Sequence, residues 1–205
     1  MLAILGASGH GKVLADIAEL TGWEKIDFFD DAWPERKNNG VWQVIGDTQK
    51  LLNSLKAYDG VIVAIGNNKI RQQKLQQLES ACAKIITLIH PSATVSRYTK
   101  IGLGSVVVAG AVINPDCNIG AGVIINTCSS VGHDCTLGDA VHICPGARLA
   151  GGTVVYDRAW VGVGTSVRQL ITIGADSIVG AGSVVVKDVS SNTTVMGVPA
   201  SIKLY

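Results

Sequence analysis

The sequence lacks the features that mark membrane-spanning, secreted or polyanion-binding proteins. No apolar run approaches the roughly 20 residues that a membrane-spanning helix needs. The N-terminal stretch Met1–Leu5 has no basic flank of the kind that precedes a signal peptide. The 17 basic and 16 acidic residues nearly balance, and no basic block indicates a nucleic-acid or membrane-surface partner. We therefore expect a soluble cytoplasmic protein that does not bind nucleic acid.

Cysteine is sparse, and its spacing is not that of a metal site. The five cysteines show no C-x-x-C pairing, and Cys117 and Cys135 fall in the small-residue column of the repeat described below. Disulfides, a metal site and buried free thiols in a reducing cytosol are the three interpretations. The last is favoured, and we expect no metal.

A strict six-residue repeat runs from Val95 to Val185. Every sixth residue is a branched aliphatic, sixteen in all, with no insertion. A second column, two residues earlier, is mostly small and begins with Ala93, Thr99 and Ser105. Neither a helix, with a period of about 3.6, nor a strand, with a period of 2, has this rhythm. Repeats of six residues form parallel β-helices.

The number of sides of the β-helix follows from a slower rhythm of glycines. Glycine follows the aliphatic position at Gly102, Gly120, Gly138 and Gly174. These positions are separated by eighteen residues or a multiple of eighteen, which is three repeats. The sequence therefore predicts a triangular coil with a continuous apolar column inside.

Residues 1–91 show a different pattern, in which apolar strands alternate with helices. Strands are predicted at Leu2–Leu5, Ile26–Phe29, Val61–Ile65 and Lys84–Ile89. Helices are predicted after Gly11, from Asp47 to about Ala57 and over Ile70–Cys82, and a loop is predicted over 32–46. Inward positions are predicted at Val13, Leu14, Ile17, Ala18 and Leu20 of the first helix and at Ile70, Leu75 and Leu78 of the third. This alternation predicts a small parallel, Rossmann-like α/β domain with ligands at the carboxyl ends of its strands. Since His90-Pro91 ends the pattern, the predicted domains are 1–91 and 92–205.

Two stretches of this domain have the chemistry of a ligand site. Residues 6–11, Gly-Ala-Ser-Gly-His-Gly, form a turn between a strand and a helix, where backbone N–H groups meet anions. Its spacing is not the dinucleotide fingerprint, so phosphate binding and tight-turn packing both remain open. Asp30 and Asp31 end the second strand, where an acid meets a ribose or base, although surface acids at strand ends are also common.

Several motifs together resemble the NeuD/PglD-type sugar acyltransferases. They are the turn at 6–11, the pair Asp30-Asp31, AIGNN at 64–68, HPSA at 90–93, SSVGHDC at 129–135 and GVPA at 197–200. The resemblance covers essentially the whole chain. It implies that the β-helix is left-handed, that acetyl-CoA is the co-substrate and that the protein is a homotrimer. In the amino-sugar branch, the N-terminal domain binds the UDP-sugar.

The resemblance also implies site residues. The positions that match nucleotide-sugar binding are Ser8, Gly9, His10, Asp30, Asp31 and Gly66. His10 has a competing interpretation as a solvent-facing residue at a helix start. The pantetheine arm of the cofactor is expected to pass Gly151, Val163, Gly180 and Ala181. His142 is expected to contact the thioester, or alternatively to pack in an interface.

The repeat gives an independent argument about the two histidines. If Val141 and Ile143 point inward, His142 between them points outward. Its column at eighteen-residue spacing is apolar and consists of Val106, Ile124, His142, Trp160 and Ile178. Exposed apolar surfaces of this kind usually mark interfaces, and a triangular prism favours a trimer. Because His133 lies at a corner of the coil, it can share a site with His142 only across such an interface.

The chemistry of acyl transfer to an amine needs few groups. A histidine near neutral pKa can take the proton of an amine that attacks a thioester, and His133 is the candidate base. Asp134 either stabilises the imidazolium or orients the ring, and a backbone N–H stabilises the oxyanion.

We therefore expect an acetyl-CoA-dependent N-acetyltransferase acting on a UDP-linked 4-amino-4,6-dideoxy sugar in bacterial glycan or capsule synthesis. The alternatives are an O-acetyltransferase for sialic acid or a related sugar, and a non-catalytic trimeric protein that binds sugar nucleotides.

Overall fold

The computed structural model describes residues 1–203, which divide into two compact units. The first unit is Met1–Pro91, and the second begins at Ser92. The first unit is the α/β part of the chain, and the second contains the six-residue repeats.

The first unit is built on a five-stranded sheet. Its elements are β1 (Leu2–Leu5), α1 (Gly9–Leu20), β2 (Ile26–Phe29), β3 (Asn38–Asn39), β4 (Trp42–Gly46), α2 (Thr48–Asn53), a 3₁₀ turn (Leu55–Ala57), β5 (Gly60–Val63), α3 (Asn68–Ser80) and β6 (Leu88–Ile89). The strand order is β3-β4-β2-β1-β5. Strand β1 is parallel to both β2 and β5, as helical crossovers between them require. The predicted small parallel sheet is confirmed.

Helix α1 packs closely against this sheet through small residues. It buries Gly11, Leu14, Ala15, Ile17 and Ala18. Val13 and Leu20, which were predicted to be inside, are 38% and 56% exposed. The prediction failed because the buried stripe is centred on Gly11 and Ala15. A Cβ atom on Gly11 would lie 2.9 Å from the Phe28 ring, so only glycine permits this approach. Ile70 of α3, also predicted inside, is 43% exposed.

The prediction of a loop over residues 32–46 was wrong. Strand β4 pairs in parallel with β2, and β3 pairs with β4 in an antiparallel hairpin. Only Val44 and Gly46 of β4 are buried, because this strand lies near the edge of the sheet. That short alternation was too weak to be recognised in the sequence.

The helix after residue 46 begins where the sequence predicted. The Asp47 side chain accepts a hydrogen bond from the Lys50 N–H at 2.8 Å, which is N-terminal capping. The α-helix itself ends at Asn53, and the 3₁₀ turn continues it. The strand predicted over Lys84–Ile89 does not form as a strand of this sheet. Ile85 makes only an isolated bridge with Val61, and β6 is not part of the five-stranded sheet.

The second unit is a three-sided parallel β-helix. Face 1 consists of β7 (Thr94–Val95), β10 (Val112–Ile113), β13 (Ser130–Val131), β16 (Arg148–Leu149), β19 (Ser166–Val167) and β22 (Val184–Val185). Face 2 consists of β8 (Lys100–Ile101), β11 (Asn118–Ile119), β14 (Thr136–Leu137), β17 (Val154–Val155) and β20 (Thr172–Ile173). Face 3 consists of β9 (Val106–Val107), β12 (Ile124–Ile125), β15 (His142–Ile143), β18 (Trp160–Val161), β21 (Ile178–Val179) and β23 (Thr194–Met196), with β24 (Ser201–Ile202) antiparallel to β23.

From β7 to β22, strands pair at a separation of eighteen residues, and the last pair on face 3, β21 with β23, is separated by sixteen. Ile113, for example, lies opposite Val131, and Ile125 lies opposite Ile143. The aliphatic column from Val107 to Val185 is buried throughout and forms one apolar core. The predicted coil of three repeats is confirmed.

The turns between strands follow the same rhythm. From Gly104 to Gly182, the third residue of each turn has a left-handed backbone conformation, and Asp134 (φ 58°) and Gly152 (φ 68°) occupy this position in successive coils. Backbone hydrogen bonds join the stacked turns, for example from the Gly152 N–H to the His133 carbonyl at 2.8 Å. Each side chain at a corner is therefore held at a fixed point.

The prediction of an exposed apolar stripe on face 3 is wrong for most of its residues. Val106, Ile124 and His142 are 0%, 1% and 6% exposed in a single chain, and Trp160 is half-buried. Ile178 keeps 47% of its surface accessible. A charge at Ile124 would therefore disturb a buried position rather than probe an interface between copies.

The cysteines carry free thiols, as expected, but only three are buried. Cys117, Cys135 and Cys144 are buried, whereas Cys82 and Cys128 are exposed. Burial raises the pKa of Cys135 to about 11 and of Cys144 to about 12, so both thiols stay protonated near neutral pH.

The apolar column predicts a measurable difference between inward and outward isoleucines of face 3. Ile143→Ala should lower the free energy of unfolding by about 2–5 kcal/mol, because it leaves a cavity in the core. Ile178→Ala, on the same face but pointing outward, should cost about 1 kcal/mol or less. Urea unfolding of both variants provides the measurement, and equal losses would contradict the inward assignment of Ile143.

Candidate functional site

A pocket of about 260 Å³ lies at the carboxyl edge of the sheet in the first unit. The turn after β1, the end of β2 and the segment after β5 meet there, because β1 lies between β2 and β5. The predicted residues Ser8, Asp30, Asp31 and Gly66 line the pocket, together with Leu5, Gly6, Ile65, Ile70 and Lys74. The structure thus brings four of the six predicted nucleotide-sugar residues together.

The Asp30 carboxylate holds the backbone of the glycine turn by hydrogen bonds. Its Oδ2 accepts the Ala7 N–H at 2.7 Å, and its Oδ1 accepts the Ala32 N–H at 3.0 Å. The Arg36 guanidinium contacts the same carboxylate at 3.3 Å and donates to the Ala7 carbonyl at 2.7 Å. Asp30 therefore fixes the path of the backbone between β1 and α1.

Asp31 is held in a different way, by two side chains from other elements. Its Oδ1 accepts hydrogen bonds from the N–H and the hydroxyl of Thr48 at 3.0 and 2.6 Å. Its Oδ2 lies 2.6 Å from the Lys74 ammonium. Partial burial favours the protonated acid, but the hydrogen bonds from Lys74 and Thr48 outweigh it and lower the pKa of Asp31. Asp31 is therefore an ionised carboxylate on the pocket wall at neutral pH.

Gly9 and His10 lie at the N-terminus of α1 and do not line the pocket. No atom lies within 4 Å of the Cβ position of Gly9, so the backbone there is open to a ligand. The interpretation of His10 as a solvent-facing residue is wrong, because its Nε2 is buried and has no hydrogen-bond partner within residues 1–203. Burial and the nearby Arg71 cation lower the pKa of His10 to about 4.

Arg71 is a fully buried residue that the sequence analysis missed. It donates to the carbonyls of Ile65 and Gly66 at 2.9 and 3.0 Å and to the Asn68 side chain at 2.8 Å. Burial lowers the pKa of Arg71 to about 9. The guanidinium holds the segment that forms one wall of the pocket. A buried arginine inside a polar helix gives no signal in the hydrophobic pattern.

In the second unit, His133, Asp134 and Gly151 meet at one corner, formed by the turns that follow the strands of face 1. The His133 Nδ1 lies 2.5 Å from the Asp134 Oδ2, and both side chains are largely exposed. A carboxylate only accepts hydrogen bonds, so the neutral ring that donates to Asp134 through Nδ1 leaves Nε2 as its acceptor. A Cβ atom on Gly151 would lie 2.5 Å from Cε1 and 2.6 Å from Nε2 of this ring. Glycine at position 151 thus makes room for the imidazole.

His142 lies elsewhere, on face 3. Its Nε2 is 3.0 Å from the Asn126 amide nitrogen, and its ring packs against Trp160 with centroids 4.3 Å apart. Asn126 lies two residues after Ile124, which pairs with His142 from the preceding coil. The sequence analysis did not single it out. The ring of His142 is therefore fixed by neighbours in the same chain.

The remaining predicted cofactor residues lie at another corner, formed by the turns that follow face 3. Val163, Gly180 and Ala181 stack there in successive coils, and the Gly182 N–H donates to the Val163 carbonyl at 2.8 Å. Val163 is 53% exposed. This corner differs from the one that holds Gly151 and His133, so one chain does not bring all the predicted cofactor residues together.

Two absences hold for the part of the chain that the structure describes. Residues 1–203 contain no cluster of histidine, cysteine and acidic side chains that could hold a metal ion. No helix among them is long and apolar enough to cross a bilayer.

Comparison with known proteins identifies relatives along the whole chain. Residues 1–78 match the PglD N-terminal domain. GDP-perosamine N-acetyltransferase of Escherichia coli O157:H7 is 37% identical over 188 residues, which span 89% of this chain and 84% of that protein. UDP-N-acetylbacillosamine N-acetyltransferase of Bacillus subtilis (strain 168) is 38% identical over 53% of this chain and 51% of its own length.

Two solved structures resemble the chain over nearly its whole length. A variant of perosamine N-acetyltransferase from Caulobacter crescentus, in complex with CoA and GDP-perosamine, has a TM-score of 0.94 and 41% identity, covering 100% of this chain and 97% of its own. The acetyltransferase domain of PglB from Neisseria gonorrhoeae FA1090, in complex with acetyl coenzyme A, has a TM-score of 0.94 and 42% identity, covering 98% of both chains. These likenesses confirm the predicted fold, an α/β domain followed by a left-handed β-helix.

The buried position of His10 predicts a specific dependence of stability on pH. Its pKa is about 4 in the folded chain against an ordinary value of 6.5, so the unfolded chain binds a proton that the folded chain excludes. The stability that neutral His10 contributes is fully present above about pH 6.5 and is lost as the pH falls towards 4. Between pH 7 and pH 5, the free energy of unfolding of the His10→Asn variant should therefore fall by about 2 kcal/mol less than that of the wild type. Urea unfolding at both pH values tests this, and parallel losses would show that His10 takes up its proton without cost.

Proposed function

Because the chain belongs to the NeuD/PglD-type family of sugar acetyltransferases, we propose that it transfers the acetyl group of acetyl-CoA to the amino group of a nucleotide-linked sugar. The observation that carries this proposal is the likeness of the whole chain to a perosamine N-acetyltransferase solved with CoA and to an acetyltransferase domain solved with acetyl coenzyme A. The relatives include enzymes named for GDP-perosamine and for UDP-N-acetylbacillosamine.

For the acceptor, we propose a UDP-linked 4-amino-4,6-dideoxy sugar used in bacterial glycan or capsule synthesis, with the reaction in the cytoplasm. The pocket beside Ser8, Asp30, Asp31 and Gly66 is the binding site for the nucleotide. The open N-terminus of α1 at Gly9 offers backbone N–H groups to the diphosphate. The relatives named for sugar amines favour N-acetylation over O-acetylation of sialic acid and over a non-catalytic binding role.

His133 is the proposed general base. Its Nε2 takes a proton from the attacking amine while the new C–N bond forms, and the Asp134 carboxylate stabilises the resulting imidazolium through Nδ1. The C–S bond then breaks, and the CoA thiolate takes up the proton from His133. A backbone N–H stabilises the oxyanion of the tetrahedral intermediate.

A homotrimer is proposed because the predicted acyl-transfer residues lie at two corners of one chain. Gly151 and His133 occupy one corner, whereas Val163, Gly180 and Ala181 occupy another. Copies related by a three-fold axis place the first corner of one chain beside the second corner of its neighbour. The pantetheine arm then lies between subunits, along Val163 and the Gly180-Ala181 turn, and reaches His142 and His133.

The experiment that tests the function is release of free CoA thiol from acetyl-CoA with a panel of acceptors. The panel contains UDP- and GDP-linked 4-amino sugars and free sialic acid. Thiol release with an amino-sugar nucleotide is expected. Release with sialic acid alone would contradict N-acetylation, and tight sugar-nucleotide binding without any release would favour a non-catalytic protein.

His133→Ala should lower turnover about 10²- to 10⁴-fold, because the amine then loses its proton without a positioned base. The Gln169→Ala variant, at the exposed equivalent turn position two coils further on, provides the control. Sedimentation velocity should give the same trimeric species for both variants. Near-normal turnover of the His133 variant would remove this residue from the mechanism.

Gly151→Ala should lower turnover about 10- to 100-fold by displacing the imidazole from its place above the glycine. Gln169 occupies the equivalent turn position one coil further on and is exposed, so Gln169→Ala is the matched control. Thiol release by the two variants is compared at saturating acetyl-CoA. Equal activity would show that the ring can move aside without consequence.

A further inference from the structure

Three side chains from separate parts of the first unit meet beside the pocket, and two of them, Asp31 and Lys74, line it. Asp31 follows β2, Thr48 begins α2 and Lys74 lies in the middle of α3. The Lys74 Nζ lies 2.6 Å from the Asp31 Oδ2 and 2.8 Å from the Thr48 hydroxyl oxygen. The side chain of Lys74 is 20% exposed, whereas that of Asp31 is 58% exposed. The cluster is therefore built into the fold and still faces the pocket.

The hydrogen-bonding capacity of this cluster is not exhausted. The Lys74 ammonium has three N–H donors, of which Asp31 and Thr48 take two. The Asp31 Oδ1 accepts two hydrogen bonds from Thr48, and its Oδ2 accepts one from Lys74. Within residues 1–203, one ammonium N–H and one lone pair of Oδ2 thus remain for a ligand. The pocket presents a donor and an acceptor side by side, 2.6 Å apart.

A donor beside an acceptor matches one chemical edge of a nucleobase. In uracil and guanine, a ring N–H lies next to a carbonyl oxygen, so the N–H can donate to Asp31 while the carbonyl accepts from Lys74. In cytosine and adenine, the same edge carries an unprotonated ring nitrogen beside an amino group. Against this cluster, the ring nitrogen would face the carboxylate and the amino group would face the ammonium. Each polar group would then lack a partner, which is costly in a partly buried site.

A diphosphate is a poorer occupant of the same position. The charge of Lys74 is neutralised by Asp31, and a phosphate placed against the ammonium would also approach the carboxylate. The open backbone at Gly9, at the start of α1, has no such anion beside it. The base is therefore assigned to the pocket, and the diphosphate to the start of α1, next to Ser8 of the pocket lining.

From this geometry we infer that the Asp31–Lys74 pair selects nucleoside diphosphates with a keto base, and that Lys74 is the residue that determines this specificity. The inference rests on the proposed function, in which the pocket holds the nucleotide of the acceptor. Thr48 acts as a positioning residue, because it occupies both lone pairs of Oδ1 and leaves Oδ2 as the contact for the base.

Two pairs of nucleotides differ only at this edge and make the test direct. UDP and CDP form one pair, and inosine and adenosine diphosphates form the other. Isothermal titration of the full-length protein should show that the keto member of at least one pair binds about 10- to 100-fold more tightly than its amino partner. UDP methylated at the ring nitrogen should bind less tightly than UDP by a similar factor, since it has no N–H to donate to Asp31.

Lys74→Met should reduce the preference for the keto base about tenfold or more, because the carbonyl loses its donor. Lys69→Met is the matched control, since Lys69 is an exposed lysine of the same helix that does not line the pocket. Thermal unfolding of both variants monitors the fold. The nucleotide pairs and the methylated UDP test the inference on the wild-type protein even if Lys74→Met unfolds.

Equal binding of keto and amino partners, or no binding by any of the four diphosphates, would overturn the inference. Loss of the preference in the Lys69 variant as well as the Lys74 variant would overturn the role of Lys74. Thiol release distinguishes these failures from failure of the proposed function. An enzyme that acetylates an amino-sugar nucleotide but ignores the base edge retains its function without this specificity. A protein that prefers keto bases but releases no thiol retains the specificity without the function.

Discussion

The stacking of branched aliphatic side chains at every sixth residue is the constraint on which the second unit depends. Each coil can bury its column only against the coils before and after it, so the spacing of eighteen residues is fixed from Val107 to Val185. The turns then fall at set places, and their third residues adopt left-handed conformations. The chemistry at the corners is consequently positioned by the core, although His133, Asp134 and Gly151 do not belong to it.

The His133 corner shows how this positioning operates. Asp134 occupies the left-handed position of its turn, which brings its carboxylate to Nδ1 of the preceding residue, and Gly151 of the next coil leaves space for the ring. In the first unit, a comparable order comes from hydrogen bonds instead of stacking. Asp30 holds the glycine turn, and Arg71 holds the segment after β5. In both units, the backbone that carries the exposed functional groups is held in place, by hydrogen bonds in the first unit and by the stacked core in the second.

Much of this architecture was readable from the sequence because it is periodic. The six-residue rhythm predicted the coil, its three sides and the inward column, and the capping role of Asp47 was visible from its side chain. The hairpin of β3 and β4 was missed because an edge strand buries only alternate residues over a short length. Lys74 and Arg71 were missed for another reason. Lys74 contacts Asp31 and Thr48, which lie 43 and 26 residues earlier in the chain, and no local pattern records such a pairing. Arg71 contacts residues within six positions, but nothing in the pattern of a polar helix shows that its arginine will be buried.

The eighteen-residue register also determines which changes of length the chain can accept. Each strand from β7 to β22 has two residues, one facing inward and one outward. Inserting a single residue between Val95 and Val185 would therefore turn every later aliphatic side chain away from the core, up to the next compensating deletion. Substitutions at the corners leave this register intact. We therefore expect natural variation in this unit to proceed by exchange of turn residues at constant length, with changes of length confined to the ends of the coil or to loops that leave and re-enter at one corner.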